Sequence, residues 1–98
     1  MELLRITKTD DALIVEGEVD LAAADELREA LLESAAAGTS VLDTSGVTFI
    51  DSTGLHILLS AGRALNGTGP LVLRSPSRAV LRLLSIALPD GTPEIEVR

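Results

Sequence analysis

The chain contains no cysteine, tryptophan or tyrosine, and it has a single phenylalanine and a single histidine. Each absence removes a class of protein. Without cysteine there is neither a disulfide framework nor a thiolate metal site, and one histidine does not build a zinc centre. With one aromatic among 98 residues, the interior has to be filled by Leu, Val, Ile and Ala, the bulk of a 46% hydrophobic composition. Basic residues are also scarce. Eight Lys and Arg stand against fifteen Asp and Glu, a formal net charge of −7 and a pI near 4.5. That balance argues against nucleic acid, whose phosphates demand clustered cations, and against anionic membrane surfaces. No apolar run approaches the roughly 20 residues of a membrane span, and the start MELLRITKTDD has no apolar signal core behind a basic end. The expectation is a cytoplasmic protein without metal or cofactor, with no direct nucleic-acid partner and no membrane partner.

What is present reads as one domain over residues 1–98, long enough to bury roughly two thirds of its surface without staples. LLRITKT (3–9) and ALIVEGE (12–18) are β-rich runs parted by Asp10 and Asp11, a hairpin pattern. In LAAADELREALLESAAAG, Leu21, Ala24, Leu27, Leu31 and Ala35 recur at helical spacing, with Asp20 as N-cap and Gly38 as the left-handed residue past the end. SVLDTS (40–45) reads as a strand covered on both faces, and Gly46 as a turn. A second helix is predicted over 53–65, with NGTGP (66–70) ending it. LVLR (71–74) is a strand, Ser75 and Pro76 signal a third helix running to about Leu88, and EIEV (94–97) is a last strand. The order ββαβαβαβ predicts an α/β fold, a mixed sheet with mostly parallel right-handed crossovers and helices packed on it.

The stretch DSTG, Asp51 to Gly54, stands where a strand pattern meets a helix pattern. Any one of Asp51, Ser52 and Thr53 can cap the helix, and a single cap needs only one acceptor. Three in a row, followed by a glycine that leaves the next turn open, point to an accessible hydroxyl. A phosphate is tolerated there, because the helix start presents free N–H groups and a positive dipole end. Enzymatic readings fare worse. The aspartic-protease Asp-Thr-Gly pattern is broken by an extra residue in both DTSG and DSTG. A Ser52, His56, Asp51 site lacks the enclosing pocket that nucleophilic catalysis requires. No phosphate-cradling glycine loop occurs. The protein is therefore expected not to be an enzyme.

The pieces GEVD (17–20), DTSGV (43–47) and DSTGL (51–55), in this order across nearly the whole chain, resemble the STAS-domain family, specifically its stand-alone bacterial anti-sigma factor antagonists. The resemblance implies a partner switch. The unphosphorylated protein would bind an anti-sigma factor that is itself a serine/threonine kinase, releasing a sigma factor. Phosphorylation at Thr53 would block binding, and a PP2C-type phosphatase would restore it. Serine is the commoner residue at that place, so this chain departs by one methyl. Asp20, Asp51, Ser52 and Gly54 match positions beside the phosphosite, and Leu55, His56 and Arg63 are further candidates for partner contact. The alternative keeps the fold as a constitutive adaptor subunit of a transport ATPase or signalling assembly, docking through apolar residues of the second helix such as Ile57, Ala61 and Ala64. The stretch after Ala87 is shorter than the resemblance leads one to expect at a final helix.

Overall fold

The computed structural model describes residues 4–65 and 69–98. The expected strand start at Leu3 and the expected turn residues 66–68 lie outside them. Along the chain run β1 (Leu4–Lys8), β2 (Leu13–Val19), α1 (Ala24–Ala36), β3 (Val41–Ile50), α2 (Ser52–Ala64), β4 (Leu71–Arg74), α3 (Arg78–Ala87) and β5 (Ile95–Val97). This is the predicted order, with one short 3-10 turn, Leu21–Ala23, inserted before α1. The sheet follows the sequence, β1-β2-β3-β4-β5. Only the β1–β2 hairpin is antiparallel, closed where Thr9 N donates to Ala12 O at 2.9 Å.

Register explains the core. Leu13, Leu42 and Leu73 stand side by side on β2, β3 and β4, and all three are buried. Successive strand residues point to opposite faces, so the next row, Ile14, Asp43 and Arg74, lies on the other face and is only partly covered. The expectation that β3 is covered on both faces is therefore corrected. α2 packs on its well-buried face while α1 packs on β2, and the two helices contact each other. The other face of β3 carries Asp43, whose carboxylate meets Arg74 at 3.3 Å. Nor does Gly46 make a turn. β3 continues through it to Ile50, and a Cβ there would approach Glu16 Cγ to 2.8 Å, so the glycine allows two strands to meet closely at a register shift.

Two helix starts differ from the pattern reading. Leu21 falls in the 3-10 turn and is 76% exposed, while Ala24, Leu27 and Leu31 form the buried stripe of α1. Asp20 caps the short turn, its Oδ1 accepting from Ala23 N at 3.2 Å. The α3 cap is Ser77, whose Oγ accepts from Val80 N, and not Ser75, which adopts a left-handed φ of 51°. Gly38 follows α1 at φ +86°, as the sequence suggested. β4 pairs with β3 only along Val41–Asp43. α3 packs against the rest of β3, beginning where Ser77 N donates to Thr44 O at 3.2 Å, and so shields what would be an open strand edge.

Candidate functional site

The ends of β2 and β3 lie level, Val19 opposite Ile50, and Asp51 N donates to Val19 O at 3.4 Å. This brings the Asp20 loop beside the start of α2. Asp51 holds an extended backbone, φ −117° and ψ −171°, and its Oδ1 accepts from Thr53 N at 3.0 Å and Gly54 N at 3.2 Å. One carboxylate thus satisfies two of the unpaired N–H groups that open a helix. Ser52 is exposed and Thr53 half-buried. Among the described residues neither hydroxyl makes a hydrogen bond, so the cap does not consume them.

Gly54 plays another part than the one its place in the motif suggested. It is buried, and a Cβ there would come within 2.7 Å of both Ile50 Cγ1 and Val19 Cγ1. It opens no room for a partner; it lets α2 sit down on the strand ends. Leu55 is 8% exposed and belongs to the interior, which removes it from the contact candidates. His56 is exposed, one turn on from Thr53 and Ser52. Among the described residues no hydrogen bond orients its ring. Arg63 stands ten residues beyond Thr53, about 15 Å along the helix axis, and pairs with Glu94 at 3.6 Å. It is separated from the turn Asp51–Gly54. The Thr92 hydroxyl, which donates to Glu94, and behind it Arg63, hold the Glu94 carboxyl below its ordinary range. Ile57 and Ala61 are buried in the core.

The DTSG echo has a different role. Burial is the largest influence on Asp43 and raises its pKa. The Ser45 N–H and hydroxyl, at 3.0 and 2.7 Å, and the Arg74 guanidinium together outweigh burial and hold the group below its ordinary value. Asp43 ties β3 to β4 and is no part of the turn Asp51–Gly54. Among the described residues no group of His, Asp and Glu is arranged to hold a metal ion, and no helix is long and apolar enough to cross a membrane.

Phe49, the only aromatic, was not singled out by the motif. Plain alternation from buried Val47 would turn it inward. Instead Gly17 pairs with Val47 and Glu18 with Phe49, so β3 carries one extra residue there, and Phe49 is 47% exposed two places before Asp51. A bulge depends on the partner strand and cannot be read from one strand alone. The available signal was the lone aromatic itself, placed beside the motif.

The family model described as "Mlab, STAS domain" matches residues 3–91. No curated protein matches the chain. Among solved structures, an anti-sigma factor antagonist from Mycobacterium paratuberculosis is 25% identical, with a TM-score of 0.74 over 94% of this chain and 82% of that one. The anti-sigma factor antagonist SpoIIAA in its unphosphorylated form is 19% identical, TM-score 0.69, over 97% and 87%. The Bacillus cell fate determinant SpoIIAA in the phosphorylated form is also 19% identical, TM-score 0.64, over 97% and 90%. At 19% identity the likeness to SpoIIAA concerns the fold.

Proposed function

The chain belongs to the STAS-domain family, and from that premise we propose that it is an anti-sigma factor antagonist controlled by phosphorylation at Thr53. One observation carries the reading. The Asp51 carboxylate caps α2, and the hydroxyls of Ser52 and Thr53 have no hydrogen-bond partner among the described residues, at a helix start suited to receive a phosphate. The partner is an anti-sigma factor that is also a serine/threonine kinase, bound by the unmodified protein in the cytoplasm. A PP2C-type phosphatase reverses the modification. The protein itself performs no catalysis.

The physics of the switch is local. A phosphate adds about −1.5 to −2 charges beside Asp51 and close to Asp20. Two unit charges about 4 Å apart interact by ~4 kcal/mol at an effective dielectric near 20. A hundredfold loss of affinity needs only about 2.7 kcal/mol, so repulsion of a partner carboxylate at one contact suffices. The adaptor alternative needs an apolar docking face on α2, and burial of Ile57 and Ala61 removes most of it.

The test is site-resolved mass spectrometry of the protein after incubation with lysate of its source organism and Mg-ATP, beside Thr53→Ala and Ser52→Ala. A single phosphate lost only in Thr53→Ala supports the reading. An unmodified protein, in a lysate that phosphorylates a control substrate, rejects it.

A further inference from the structure

Beside the acceptor turn lies a groove of about 330 Å3, with Phe49 and Ile50 of β3 on one wall and Arg82, Leu83 and Ile86 of α3 on the other. Its lining is mostly apolar, with Thr48 as a polar residue and Arg82 as the one charged residue. Ile86 is 72% exposed, so two large apolar side chains, one of them the chain's only aromatic, stand open to solvent on opposite walls.

The charge around this groove runs against that of the whole chain. Four of the eight cations are paired, Arg28 with Asp25, Arg63 with Glu94, Arg74 with Asp43 and Arg98 with Glu96, while Arg5 and Lys8 stand apart on β1 without an ion pair among the described residues. α3 carries Arg78 and Arg82 and no carboxylate; both are exposed, and neither has an ion pair among the described residues. Two unneutralised guanidiniums on one helix, in a chain of net charge −7, mark a place where negative charge is wanted from outside. Arginine and half-exposed aromatics are the residues that anchor protein interfaces, and the guanidinium fork pairs with carboxylates. The lining of α3 extends from Ala79 to Ile86, about 10 Å or two helical turns. That length suits a helix laid in the groove with apolar anchors at i and i+3 or i+4.

We propose that this groove seats an acidic amphipathic helix of the anti-sigma factor, its apolar side chains on Phe49 and Ile86 and its carboxylates on Arg82 and Arg78. The proposal rests on the partner-switch reading and deepens it. The groove holds the partner, and the adjoining Thr53 turn decides whether it stays.

The probe is a synthetic amphipathic peptide of about 14 residues, with leucines at i, i+3, i+4 and i+7 and glutamates on the flanks, together with a lysine twin. The uniformly 15N-labelled chain is titrated with each and followed by amide chemical shifts. The expected result is movement of the Phe49, Ile50 and Arg82–Ile86 amides with the glutamate peptide, and binding of the lysine twin about tenfold weaker or worse. Arg82→Glu, an exposed position whose variant is checked for native dispersion, inverts the preference, and Ile86→Asp abolishes it. Four results overturn the proposal: no movement, equal response to both peptides, movement confined to another apolar groove, lined by Leu81, Leu84 and Leu88 on the α3 side and Ile95 and Val97 of β5, or movement of the same amides by phosphatidylglycerol vesicles. The last would make the groove a lipid surface. The peptide requires no phosphate on the protein, so failure here leaves the Thr53 result standing, and failure at Thr53 leaves this one.

Discussion

On the proposed reading, Asp51 and Thr53, two residues apart at the start of α2, divide structure from signalling. The Asp51 carboxylate accepts two backbone N–H groups, while the Thr53 hydroxyl accepts and donates none within the described residues. Asp51→Ala should therefore cost about 1 kcal/mol in urea unfolding, and Thr53→Ala under about 0.5 kcal/mol, while only the second removes the phosphate acceptor. Equal costs would place Thr53 in the cap as well. Asp43 makes a prediction in pH. Its folded-state pKa is depressed, so its contribution is fully present above the unfolded value, about 3.9, and is lost as pH falls through the folded value. The urea midpoint of the native chain should fall more steeply between about pH 5 and pH 3 than that of Asp43→Asn, which has no proton to take up there. Parallel pH profiles for the two proteins would contradict the assignment.

At the scale of the element, α2 is seated by glycine at both ends. A helix-interior glycine costs about 1 kcal/mol relative to alanine, so its presence needs a packing reason. Gly54 has one in Val19 and Ile50, and Gly62 has one just before β5, where a Cβ would fall 2.4 Å from the Glu94 carbonyl oxygen. Backbone yields less than side chains. Gly62→Ala should destabilise by about 1–3 kcal/mol or more, and by more than Gly54→Ala, measured by thermal unfolding followed in the far ultraviolet. Elements are also where the sequence was most and least legible. The helical spacing of α1, the short apolar β4 and the hairpin acids Asp10 and Asp11 follow local rules, and each lies where those rules put it. The passage of β3 through Gly46, the outward turn of Phe49 and the shift of the α3 cap from Ser75 to Ser77 depend on a neighbouring strand or on the docked helix. The capped start of α2 was legible because Asp51 to Gly54 are consecutive residues at a strand–helix junction. The groove was not, because its two walls come from segments about thirty residues apart.

For the whole molecule, the fold should be indifferent to the switch. Both the unphosphorylated and the phosphorylated forms of SpoIIAA share this chain's architecture, at TM-scores of 0.69 and 0.64. Phosphorylated protein and Thr53→Glu should unfold within about 0.5 kcal/mol of the native chain, while calorimetric titration with the purified anti-sigma factor shows affinity reduced about a hundredfold by the phosphate and less by glutamate, which carries fewer charges. Loss of folded structure together with affinity would replace the local mechanism by a global one.

The order of strands in space is their order in the chain, so no strand is inserted between two that have already paired. A polypeptide leaving the ribosome N-terminus first can lay each strand against the edge completed just before it. β2, β3 and the first turn of α2 are synthesised before β4, whereas the α3 wall of the groove comes later. The turn that carries Ser52 and Thr53 is thus made before the α3 wall of the groove.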